Sequence, residues 1–183
     1  MANLASMIES ISVDRLQRRD TQALIYVAIS SDIEATRLHI FENWLAKQVL
    51  IDMVSQAYCS LDGDDGEVAN RVNIAVSLDA AQLDVGLASL SEVTSPKGGA
   101  SDNGSRSSVT AHSKTDLSSI TLIGSGMRSH AGVAANMFST LSAADIPVYI
   151  VSTSEIKISC LVDTDCATRA MSELATSFQI SVS

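Results

Sequence analysis

The sequence predicts an α+β protein made of two copies of a β-α-β-β-α unit. Each copy reads as a ferredoxin-like (βαββαβ) sandwich, an antiparallel sheet with helices on one face. Three observations lead there. The order of hydrophobic patterns repeats once at a period of about one hundred residues, which marks a domain duplication and not a solenoid. Apolar runs of strand length alternate with segments whose apolar residues recur at helical spacing. A Ser-, Gly- and Thr-rich stretch, 94–118, separates the two copies and reads as a flexible linker.

In chain order, 7–13 (MIESISV) alternates as a short strand, and 24–29 (LIYVAI) is an apolar run of strand length. Residues 34–48 carry Leu38, Phe41 and Leu45 at helical spacing, and Trp44 on that helix fits a core or interface position. Residues 49–59 return to a strand pattern, and Asp62 to Gly66 (DGDDG) signals a turn into the next strand, 72–78. Asp79 suits the N-cap of a helix running to about Ser89. Residues 108–112 hold a weak extended pattern inside the linker. The second copy follows: strand 119–123, helix 132–143, strands 146–152 and 157–162, a helix over 163–178 capped by Asp163 or Thr164, and a closing strand at 179–182.

Bulk composition narrows the function classes. The chain has 183 residues, 46% of them hydrophobic, enough for one or two small cores. Aromatics are only 4%, so those cores rest on aliphatic side chains. A net charge of -9 argues against nucleic-acid binding, which needs clustered Lys and Arg. No apolar run reaches the ~18–20 residues of a membrane span. The first twelve residues show no basic segment leading into a long apolar core, so no secretory signal and a cytoplasmic location are expected. Cys59, Cys160 and Cys166 form no CxxC pair, which fits reduced thiols better than a disulfide framework or a zinc site. The acidic turn Asp62, Asp64, Asp65, Glu67 lacks EF-hand spacing and reads as solvated.

The segment carrying most information is Gly124-Ser-Gly-Met-Arg-Ser-His130-Ala-Gly132. It lies between a strand pattern and a helix pattern. A loop that opens a helix presents free backbone N–H groups and the positive end of the helix dipole, and so can hold a carboxylate. Gly124-x-Gly126 lacks the third glycine of a dinucleotide loop. His130 has no nucleophile or orienting carboxylate at fixed spacing. Its readings as a ligand contact, an interface contact or an exposed loop residue stay open, and no catalytic residue, metal ligand or cofactor is expected.

Ile123-Gly124-x-Gly126-Met127-x-Ser129-His130-x-Gly132-Val133-Ala134-Ala135, followed by Ser152-Thr-Ser154-Glu155-Ile-Lys-Ile-Ser159, strongly resembles the second ACT domain of aspartokinases. The resemblance covers 119–180 well. It reaches more weakly to 8–15 (IESISVDR), like the leading segment of the aspartokinase regulatory region, and to Ile51-Asp52-Met53-Val54 with Gln56, like the second strand of its first ACT domain. The domains it implies are 16–112, including the linker, and 119–183 together with 7–15. The layout is that of the separate regulatory beta subunit, without the kinase half.

The resemblance implies a non-catalytic regulatory protein that senses lysine, threonine or a related amino acid. It implies a homodimer through ACT domains, the effector at an ACT–ACT interface between chains, and an aspartokinase catalytic chain as a further partner. Carried over residue by residue, Met127, Ser129, His130, Ala131, Gly132, Val133 and Ala134 line the site from the loop. Ser152, Ser154 and Glu155 close it from the strand, and Asp52 and Gln56 stand on the matching strand of the first domain. Two departures stand out. Tyr149 occupies a position where lysine-binding members often have an acid, and 30–36 (SSDIEAT) lacks the usual Pro-Gly loop. They motivate one alternative, an assembly protein of ACT fold that has lost effector binding; a further one is the regulatory part of a full aspartokinase.

Overall fold

The computed structural model describes residues 13–62, 68–94, 109–125 and 131–180. Its strands are β1 (Val13–Ile29), β2 (Ile51–Asp62), β3 (Val68–Asp79), β4 (Val109–Gly124), β5 (Val151–Thr153) and β6 (Lys157–Asp163). Its helices are α1 (Ile33–Ala46), α2 (Leu83–Thr94, after a 3-10 turn at Ala80–Gln82), α3 (Ala131–Ala143) and α4 (Thr164–Ser177). The chain divides into two compact units: a first, Ala23–Thr115, and a second, Met1–Gln22 with Asp116–Ser183. In the first unit the strand order is β2-β3-β1-β4; in the second it is β1-β4-β6-β5. The hairpins β2–β3 and β5–β6 and the β4–β6 pair are antiparallel. The α+β class and the ferredoxin-like order therefore agree with the sequence.

The two units echo each other in detail. Thr21 in β1 and Asp116 in β4 both have positive φ, 56° and 58°, and both are followed by the same burial sequence of four buried, one half-buried, one buried, one half-buried and one buried residue. A left-handed residue breaks the alternation of the strand, so consecutive side chains become buried. Three helices also end alike. Val49 N–H donates to Trp44 O, Ile146 to Leu141 O and Ile180 to Ala175 O, each across a left-handed residue: Gln48, Asp145 or Gln179. This is the Schellman ending, with its apolar residue one position further on. Glycine is favoured at that left-handed site, yet here it is never glycine. Asp145→Gly is therefore expected to stabilise the protein by about 0.5–1 kcal/mol, read as a raised denaturation midpoint.

Each unit has its own core. In the first, Trp44, Ile40, Ile25, Val27, Ile29, Val72, Ile74, Val76 and Leu78 are buried together. α1 turns Thr36, Ile40 and Trp44 inward at four-residue spacing. Trp44 Nε1 donates to Gly86 O of α2 at 3.0 Å. A Cβ on Gly86 would lie 2.9 Å from Ile25 Cδ1, so a larger residue there needs the Ile25 side chain to shift. In the second unit, Val133, Met137 and Leu141 of α3 meet Ala167, Ala170 and Leu174 of α4 over Ile120, Leu122, Ile158, Cys160 and Val162. Cys59, Cys160 and Cys166 are free, and burial pushes the Cys160 thiol up to about 12, so it stays protonated.

Several boundaries differ from expectation. Residues 109–118, read as linker, are the first part of β4. The unit boundary falls at Gln22/Ala23, not at Arg15/Leu16. The strand expected at 146–152 pairs only from Tyr149 onward, because Pro147 has no N–H to donate. Gln179 belongs to the ending of α4, not to a strand. Most of the DGDDG turn, the segment 7–12 and the rest of the linker lie outside the described residues.

Candidate functional site

The second unit joins the two motif segments. Gly124, the last residue of β4, donates its N–H to Ile156 O at 2.9 Å. The β5–β6 turn closes on itself: Ser154 N–H donates to Lys157 O at 2.8 Å, and Lys157 N–H donates to Ser154 Oγ at 3.2 Å. The start of the motif loop is thus pinned to the turn that carries Ser154 and Glu155. Ser152 stands opposite Ser159, whose hydroxyl shares a 2.8 Å hydrogen bond with Thr121.

Of the loop residues, Met127, Ser129 and His130 lie outside the described residues. Ala131 and Gly132 open α3, and Ala134 is half-buried against the core. A Cβ on Gly132 would meet nothing within 4 Å, so there is open space beside the first turn of α3. That turn carries no acidic residue. The Val133 side chain is 1% exposed and fills the core of the second unit. Asp52 and Gln56 are exposed on β2 of the first unit, where Gln56 Oε1 accepts from Arg37 Nη1 at 3.1 Å.

Tyr149 has a partner of its own. Its hydroxyl donates to Asp163 Oδ2 at 2.7 Å. Asp163 is the N-cap residue of α4, but its side chain makes no cap hydrogen bond. Asp79, by contrast, caps as the sequence suggested, accepting from Ala81 N–H at 2.9 Å.

Sequence reasoning missed the cluster that fastens β1 in the second unit. Asp20 Oδ1 accepts from Ser118 Oγ at 2.6 Å and from Arg18 Nε at 2.6 Å, and Arg18 Nη1 reaches Thr168 Oγ1 of α4 at 2.9 Å. The Ser118 hydroxyl, then the Arg18 guanidinium, hold the Asp20 carboxyl below its ordinary value. A depressed carboxyl stabilises the fold above the unfolded value of about 3.9 and loses that contribution as pH falls through the folded value. Ser118→Ala is expected to raise the Asp20 titration midpoint toward the ordinary value and to flatten the acid limb of stability below about pH 4. Carbon-detected NMR titration of Asp20 checks this. Sequence reasoning missed, too, an open surface depression of about 450 Å3 at the far end of α3, lined by Phe138, Leu141, Ser142, Asp145, Ile146, Pro147 and Val148, which contains none of the expected site residues. No group of three or more metal-ligating side chains occurs among the described residues, nor is any helix there long and apolar enough to cross a membrane.

Residues 120–178 match the model of the ACT domain family. The relatives that the chain is similar to are aspartokinases. The chain is 36% identical over 84 residues to an aspartate kinase of Stutzerimonas stutzeri, a match covering 46% of this chain and 20% of that protein. It is 44% identical over 69 residues to an aspartokinase of Bacillus sp., covering 38% and 17%. The chain thus spans about a fifth of the length of the curated relatives it matches. Among solved structures, one of aspartokinase alpha and beta subunits superposes with a TM-score of 0.72 at 26% identity, over 92% of this chain and 99% of that one. The regulatory subunit of aspartate kinase from Thermus flavus superposes with a TM-score of 0.71 at 19% identity, over 91% and 99%, a likeness of fold.

Proposed function

We propose that this chain is a non-catalytic, amino-acid-sensing regulatory protein of the aspartokinase type. It binds lysine, threonine or a related amino acid at an ACT–ACT interface between chains of a homodimer. Binding biases one of two subunit arrangements and so controls an aspartokinase catalytic chain. A cytoplasmic location goes with that role. The single observation carrying the reading is the loop–turn junction of the second unit, Gly124 to Ile156, beside the open, acid-free first turn of α3. Backbone N–H groups at that turn suit the ligand's carboxylate, and Ser154, Glu155 and the strand carbonyls suit its ammonium. Calorimetric titration of the chain with lysine and with threonine, alone and with an aspartokinase catalytic chain, is expected to show saturable heat. No heat in any of these titrations would remove the sensing claim.

A second reading, an assembly protein that no longer binds effector, draws on the Tyr149–Asp163 pair, which uses Tyr149's hydroxyl internally. It predicts the same melting temperature with and without amino acids, whereas binding to the native state alone must raise it. A third is that these residues are the regulatory part of a longer aspartokinase; a kinase-coding segment continuous with this one decides it.

A further inference from the structure

We propose that the first unit has closed its own counterpart of the effector position with a ring of side chains, leaving one amino-acid site per chain, in the second unit. This rests on the sensing reading above. The ring is made by Glu34 and Arg37 of α1 with Gln56 and Tyr58 of β2. Arg37 donates to Glu34 Oε2, to Gln56 Oε1 at 3.1 Å and to Tyr58 Oη at 2.9 Å. Tyr58 Oη donates to Glu34 Oε1 at 2.9 Å, which completes the circuit. A planar guanidinium with several donors suits such multiple bonding, and each partner here is satisfied by another member.

The internal repeat shows what the ring replaces. The shared Schellman endings align Trp44 with Leu141. Counting back along the helices, Glu34 corresponds to Ala131, Ala35 to Gly132 and Arg37 to Ala134. The extended N-cap residues Asp79 and Asp163 align β3 with β6, so Ile74 corresponds to Ile158. Their strand partners then match: Gln56 with Thr153, and Tyr58, two residues on, with Glu155. In the second unit, the helix side of this position holds alanines and a glycine with open space beside it. In the first, it holds a carboxylate at the helix start and a guanidinium reaching across to the strand.

The chemistry mimics a bound amino acid. Glu34 places a carboxylate in the first turn of α1, where the helix dipole favours one. Arg37 presents the cation to the strand. An incoming carboxylate would meet like charge from Glu34, and an ammonium would meet Arg37. The unit that lost the family's Pro-Gly loop has thus also filled the position with its own charges.

NMR on the isotope-labelled full chain tests this in two ways. First, the Arg37 Nε–H order parameter is expected near the rigid value of about 0.85 in the free protein; a value below about 0.6, as for a free surface arginine, overturns the ring. Second, saturating lysine or threonine is expected to shift amides of Gly132, Val133, Ser154 and Glu155 and to leave those of 33–37 and 54–58 unmoved. Shifts at 33–37 and 54–58 overturn the proposal. A rigid Arg37 with no shift in either unit supports the ring and refutes the sensing reading instead.

Discussion

Replacing Trp44 with alanine is expected to cost the first unit about 3–5 kcal/mol, a large part of the roughly 5–15 kcal/mol that holds a domain together. The reason is that Trp44 does three things at once. It is 1% exposed in the centre of the core. Its ring meets Phe41 edge-on with centroids 5.4 Å apart. Its Nε1 donates to the carbonyl of Gly86 in α2. Alanine leaves a cavity and removes the indole's hydrogen bond to a carbonyl of α2. Trp44→Phe keeps most of the ring volume and loses the hydrogen bond, so it should fall between wild type and Trp44→Ala. Gly86→Ala puts a Cβ 2.9 Å from Ile25 Cδ1, the end of a side chain that can shift, and gains helix propensity, so it is expected to cost much less than Trp44→Ala. Urea denaturation followed by far-ultraviolet circular dichroism measures all three. An unfolding free energy for Trp44→Ala within about 1 kcal/mol of wild type would mean that this core is not assembled around the indole.

What was legible in the sequence follows how each element is exposed. Helices α3 and α4 announced themselves because each turns one regular apolar face to a core: Val133, Met137 and Leu141 on one, Ala167, Ala170 and Leu174 on the other. The second halves of β1 and β4 were equally plain, being buried apolar runs. Their first halves were not. Asp14, Arg15, Gln17, Arg19 and Asp20 are exposed, as are Thr110 to Ser113, so the strand period is drowned by polar residues on both faces. Hydrogen-bonded partners, not burial, keep these segments extended, and partners leave no mark on local composition. The same limit hid the ring around Arg37. Arg37 drew no notice in the sequence, because Tyr58 and Gln56 are brought to it and to Glu34 by the fold and not by spacing. Tyr149 was noticed as a missing acid; that an acid, Asp163, stands against its hydroxyl needed the β5–β6 pairing to be seen.

Gly132→Glu is expected to separate folding from binding in the second unit. A side chain at this position enters open space. Glycine near the start of a helix costs about 1 kcal/mol relative to ordinary residues, and an acidic residue in the first turn adds about 0.3–1 kcal/mol through the helix dipole. The variant should therefore be more stable than wild type, by about 1 kcal/mol. Binding should move the other way. Two like charges about 4 Å apart near a protein surface repel by about 4 kcal/mol, so an amino acid whose carboxylate sits on the α3 N-terminus should bind at least ~100-fold more weakly. Gly132→Ala is the control: it shares the gain in stability and adds no charge. The first unit already carries the acidic version of this turn, with Glu34 where the second unit has Ala131, and there the charge is met by Arg37 from the same helix. The second unit has Ala134 at the corresponding place, so a new glutamate would face the ligand without that local partner. Calorimetry with lysine and threonine on both variants gives the result. Unchanged affinity in Gly132→Glu, with the expected rise in stability, would place the carboxylate elsewhere than at the start of α3.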